Sequence, residues 1–166
     1  MAPNAIIIRN LLVLFNINPN PTGIKPILFN IAAKADDELI LICGSKHPFK
    51  EKTSINLHEL SKADLILRES GSGTRELFEN IMLSKGFSLN IKWVCNNSKA
   101  IKNAVISNIG VSIVSRMAVE NELENNKLFH IKLDDIKLKR KFNIIYHGNK
   151  YITKPMENFW NLCYTL

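Results

Sequence analysis

The sequence predicts an α/β domain. Three observations carry that prediction. Short apolar runs rich in β-branched residues alternate with helix-period patterns between residues 64 and 147. Glycine, asparagine or serine turns separate them. Hydrophobic residues make up 46% of the 166-residue chain, enough for a packed interior and too many for a disordered one. That length suits one domain, or two small lobes sharing a core.

Taken in order, residues 1–15 hold an apolar segment of undetermined type, interrupted by Arg9 and Asn10. Pro19, Pro21, Gly23 and Pro26, set among asparagines, make residues 16–26 a loop or linker. Glu38 to Cys43 (ELILIC) reads as a buried strand closed by Gly44 and the His47-Pro48 pair, and Leu57 to Ser61 as a short helix. Leu65 to Leu67 is the next strand. A helix follows from about Gly73 to Lys85, because Leu77 and Ile81 share a face with Phe78 and Met82. Ser72 is its expected N-cap and Gly86 its stop. Ile91 to Cys95 is a strand of β-branched and aromatic residues. Ser98 is the expected cap of a helix from Lys99 to Ser107, which Asn108 and Gly110 end. Val111 to Val114 is a strand, Ser115 opens a helix to about Glu124, and Asn125-Asn126 is a turn. Leu128 to Leu133 and Phe142 to His147 are strands, and a last helix follows Pro155. The alternation implies a largely parallel sheet, whose ligands sit at the carboxyl ends of strands. Three such ends are small and polar: Ser70 to Thr74, Asn96 to Ser98, and Ser115 with its neighbours.

Composition excludes several classes. The net charge is +7, but the lysines are scattered. The densest group, Lys132 to Lys141, is offset by Asp134 and Asp135 and lacks interleaved aromatic residues, so a solvated surface is expected and not a nucleic-acid groove. Cys43, Cys95 and Cys163 lack metal spacing and lie in apolar runs, which points to buried reduced thiols. The four histidines show no zinc pattern. The apolar N-terminal runs are too short to cross a membrane and lack a signal-peptide frame, so a soluble cytoplasmic protein is expected.

The turn Ser70-Gly71-Ser72-Gly73-Thr74 is the best site candidate. Gly71 and Gly73 let the backbone approach a ligand. Ser72 and Thr74 offer hydroxyls, and the helix amides favour a negative group. An ordinary capped helix behind a tight turn has the same residues, and both readings stand on this evidence. The turn is neither a P-loop nor a dinucleotide fingerprint, and Ser72 lacks a nucleophile frame. Arg68, Glu69, Arg75 and Glu76 bracket it, as surface pairs or as a lock on the junction. No catalytic constellation, metal site or cofactor motif emerges.

Four segments resemble one family in order and spacing. ILRESGSGTRELFE (Ile66 to Glu79) resembles the start of the second lobe of the effector-binding domain of LysR-type transcriptional regulators. DDELILICGSKHPF (Asp36 to Phe49) resembles the strand returning from that family's first lobe. SKAIKNAVISNIGVSIVSRMAVENEL (Ser98 to Leu123) resembles its helix, glycine turn and strand. LKRKFNIIYHG (Leu138 to Gly148) resembles the strand leading back. The resemblance implies a two-lobed fold like the type II periplasmic binding proteins, here one complete α/β lobe plus a partial one. Residues 61–147 would form the complete lobe, 36–60 and 148–166 the partial first lobe, and 1–35 an unassigned segment too short for a winged helix-turn-helix. It implies a binding module for a small-molecule effector, acting in a homo-oligomer through lobe closure and subunit packing, with DNA reached only through a helix-turn-helix outside this chain. By position the effector would meet Ser70, Gly71, Ser72, Gly73 and Thr74, then Asn97 and Ser98, then Gly110, Val111, Ser112 and Ile113. Two other readings remain: a small enzyme positioning an anionic substrate on Ser72 or Thr74, and a dimerisation remnant acting on full-length regulators.

Overall fold

The structure is a computed structural model that describes residues 5–8, 11–15, 29–134, 136–147 and 151–164, with side chains at 36–134, 136–142 and 151–163. The expected loop at 16–26 lies outside the described residues. The chain divides into two units, 1–37 with 140–166, and 38–139.

The larger unit holds every candidate site residue. Its strands are the inner part of β3 (Phe29–Cys43), then β4 (Ser54–Ile55), β5 (Leu65–Arg68), β6 (Ile91–Cys95), β7 (Ser112–Ser115) and β8 (Phe129–Leu133). The helices are α1 (Leu57–Lys62), α2 (Gly73–Ser84), α3 (Ser98–Ile106) and α4 (Glu120–Glu124). β5 runs parallel to β6, and Leu65 bridges Val111 in parallel beside β7. β3 is antiparallel to both β7 and β8, while β4 is parallel to β8. The expectation of a largely parallel sheet is thus corrected: the returning strand makes it mixed, since β3 runs between two strands of the opposite direction.

Alternation along β3 explains its continuous apolar run. Leu39, Leu41 and Cys43 pack with Leu65, Leu67, Val111 and Ile113 under Phe78 and Met82 of α2 and Leu57 and Leu60 of α1. Ile40 and Ile42 face the other way, toward Ile66 and Val114 under Ile101, Ala104 and Val105 of α3. A strand covered on both faces has no polar side to show. Residues 38–60, placed with the first lobe from sequence, fall in this unit because β3 pairs here with β7 and β8 and α1 covers the sheet. Residues 140–147 fall in the smaller unit.

Helix ends follow local chemistry. Gly86 takes φ +79° after α2, with its amide on Leu83 and that of Phe87 on Met82, a Schellman stop. Asn108 takes φ +57° in the same arrangement after α3. α3 begins one residue before the expected start, capped by Asn97 and not Ser98. The Asn97 side-chain Oδ1 accepts from the amides of Lys99 (2.8 Å) and Ala100 (3.3 Å). The helix expected from Ser115 is a 3-10 turn, Arg116–Ala118, followed by the short α4.

In the smaller unit, β1 (Ala5–Ile8) pairs antiparallel with β2 (Leu11–Phe15), and β2 with β9 (Leu138–His147), which enters this unit at Arg140. Arg140 donates to buried Asp37 at 2.6 Å and lies over the Phe142 ring. α5 (Lys154–Tyr164) closes the described chain. Of the three free cysteines only Cys43 is buried, which pushes its thiol up to about 11. Cys95 and Cys163 are half-buried, a correction to the expectation of three buried thiols.

Candidate functional site

The glycine turn sits at the carboxyl end of β5. Arg68 is the register partner of Cys95, and the Glu69 amide donates to the Cys95 carbonyl at 3.2 Å. The two parallel strands therefore end together. Ser70–Thr74 leaves one end, and Asn97 with Ser98 leaves the other. Gly71 adopts φ +89°, a conformation that glycine enters without a Cβ clash. The chain turns so that the Ser72 amide reaches the Glu69 carbonyl at 3.2 Å, and Gly73 opens α2. Ser72 is the N-cap residue, as expected, but its hydroxyl makes no capping hydrogen bond. The first turn-spanning bond runs from the Glu76 amide to the Ser72 carbonyl, at 2.9 Å. The Gly73 amide precedes that bond and has no helical carbonyl to meet.

The charges around the turn are already committed. Arg68 forms a two-pronged pair with Glu69, both bonds 2.8 Å. Arg68 holds the Glu69 carboxyl down to about 2. Arg75 donates to Glu79 at 2.8 Å and to the Arg68 carbonyl at 3.1 Å, tying the helix back to the strand. Arg75 thus locks the junction, and its partner is Glu79 and not Glu76. What remains toward the turn is backbone N–H, the dipole of a twelve-residue helix and the Ser72 hydroxyl.

Gly110 to Ile113 lies elsewhere. Val111 donates to the Asp64 carbonyl at 2.9 Å and bridges Leu65, so Gly110 and Val111 stand at the amino end of β5, opposite the glycine turn. A Cβ on Gly110 would sit 2.3 Å from the Asp64 carbonyl oxygen, so this glycine permits strand contact. Val111 and Ile113 are core residues. Ser112 is buried, is the register partner of Ile42, and its Oγ has no hydrogen-bond partner among the described residues. The structure thus brings Ser70–Thr74 together with Asn97 and Ser98, and does not bring Gly110–Ile113 to them. At the shared end, β7 presents Ser115, the register partner of Leu39. Alternation of strands and helices had marked Ser115; the family positions had not.

No group of three or more metal-ligating side chains forms among the described residues. No helix among them is long and apolar enough to cross a membrane.

The model of the LysR substrate-binding domain matches residues 29–165. The chain belongs to the LysR substrate-binding domain family. Among its relatives are proteins described as probable RuBisCO transcriptional regulators. The one from Trieres chinensis is 36% identical over 136 residues, 79% of this chain and 44% of the relative. The one from Emiliania huxleyi is 34% identical over 132 residues, 78% of this chain and 42% of the relative. The chain therefore spans less than half the length of these relatives. The regulatory domain of CcmR from Synechocystis PCC6803, solved in complex with 2-PG, shares the fold at a TM-score of 0.78 and 22% identity, over 94% of this chain and 72% of that one. This likeness is to a regulatory domain of the LysR, type II periplasmic-binding-protein-like fold, as the four sequence segments imply.

Proposed function

We propose that this chain is the effector-sensing part of a cytoplasmic LysR-type regulator and that its effector is a small anion received by the Ser70–Thr74 turn, with Asn97 and Ser98 beside it. The observation that carries this reading is the uncapped start of α2. A glycine turn at φ +89° delivers Gly73 and its amide, and an N-cap serine whose hydroxyl makes no capping bond, to the carboxyl end of two parallel strands. A helix start with those donors favours negative charge. Binding would shift the population of arrangements toward the one that holds the effector better, and so alter lobe closure and subunit packing in a homo-oligomer. DNA would be reached through a helix-turn-helix domain outside this chain.

Gly110, Val111, Ser112 and Ile113 serve this reading as support: they hold β7 against β5 so that the strand ends align. A thermal-shift screen of the full chain with small carboxylates, phosphorylated acids and amino acids tests the proposal. At least one acid should raise the melting temperature in a concentration-dependent way. No stabilisation by any of them at millimolar concentration would count against an effector site at the turn.

A second reading, a dimerisation module for longer regulators, is favoured by one observation. β6 has a single strand partner among the described residues, and Trp93 and Val94 on it are each 47% exposed. Co-purification with a longer relative, lost on Trp93→Ser, would support it.

A further inference from the structure

We infer that the larger unit carries a second small-molecule site, a cationic groove on β3 and β8 that takes a compact planar carboxylate. The groove measures about 330 Å³ and shares no residue with the glycine turn. That volume lies at the lower end of the range that small ligands occupy. Ile40 lines it on the face of β3 that also carries Glu38, and His130 is the register partner of Ile42 on that same face. Among the described residues its charged lining is Arg116, Lys132 and Lys137 with the carboxylate Glu38, and His130 also lines it.

Arg116 is the anchor. Its Nε donates to Glu38 at 3.1 Å, and one terminal nitrogen meets His130 Nδ1 at 3.2 Å. A guanidinium only donates, so Nδ1 accepts and the imidazole carries its proton on Nε2. Burial, and then the neighbouring Arg116 cation, lower the His130 pKa, which keeps the ring in that neutral form at pH 7. These two contacts use two of the five guanidinium N–H groups, and the other three have no hydrogen-bond partner among the described residues. A guanidinium fork matches a planar carboxylate better than a point cation does. Lys132 and Lys137 raise the local positive potential that draws such an anion in. A neutral ligand of the same shape loses the charge-assisted bonds to the fork.

Two-dimensional amide NMR of the full chain, titrated with benzoate and separately with benzamide, tests the site. Benzoate should bind saturably at millimolar concentration, with shifts clustered on residues 38–41 and 130–133, while benzamide should not. Arg116→Gln should weaken benzoate roughly tenfold or more. Absence of saturable benzoate shifts overturns the inference, as does equal binding of benzamide. Shifts confined to residues 70–75 also overturn it and place the anion at the glycine turn instead, so the two sites succeed or fail separately. The wild-type shift map decides the matter even where Arg116→Gln folds poorly.

Discussion

Asn97 and Ser98 are adjacent polar residues with different work. Asn97 caps α3 through two backbone amides, while Ser98 is the first helical residue. Asn97→Ala should therefore lower stability by about 1 kcal/mol in urea unfolding, and Ser98→Ala by only a few tenths. The reverse order would mean that the cap is misplaced. Either residue type caps a helix, which is why the sequence alone placed the start one residue late. Glu69 offers a second residue-scale test. Its hydrogen bonds from Arg68 drop its carboxyl from the ordinary 4.5 to about 2. A depressed carboxylate stabilises the fold above its unfolded value, and that stability is lost as pH falls through the folded value. Between about pH 4.5 and 2 the wild type should lose stability more steeply than Glu69→Gln, as acid unfolding curves would show. Parallel curves would indicate that the exposed pair contributes nothing measurable.

Elements with one dominant period were legible and those defined by long-range pairing were not. The 3.6-residue rhythm of Leu77, Phe78, Ile81 and Met82 marks α2, and the apolar run of β3 marks a strand buried on both faces. Local pattern started β3 at Glu38 and β9 at Phe142, and only the resemblance reached back to Asp36 and Leu138, because these stretches carry Asp36, Asp37, Arg140 and Lys141. Those charges pair with one another, Asp37 with Arg140 and Asp36 with Lys141, and local composition does not reveal that pairing. The register of β7 beside β5 was equally invisible, and it decides which end of the strand Gly110 occupies. Gly110→Ala tests that register. A methyl 2.3 Å from the Asp64 carbonyl oxygen must push β7 from β5. A destabilisation of about 1–3 kcal/mol is expected from such overpacking. A neutral effect in chemical denaturation would show that the strands do not meet there.

At the scale of the molecule, the fold class and family were readable because four segments keep their order across most of the chain, and the family match over residues 29–165 agrees with them. The site was readable in part. Glycines and hydroxyls announce the Ser70–Thr74 turn, whereas its neighbours depend on which strand ends lie side by side, a property of the folded sheet. The chain spans 42–44% of the length of these two relatives. The central claim nevertheless concerns one backbone donor. Gly73 is the first residue of α2, and Ser72 before it has φ −74° and ψ 124°, the conformation a following proline requires. Gly73→Pro thus removes the amide donor while leaving the helix start in place. The deciding measurement is calorimetric titration of the best stabilising acid into wild type and Gly73→Pro. The account predicts an unchanged melting temperature without ligand and an affinity roughly tenfold or more weaker, the loss of one hydrogen bond to a charged group. Equal affinity in the two proteins would contradict it.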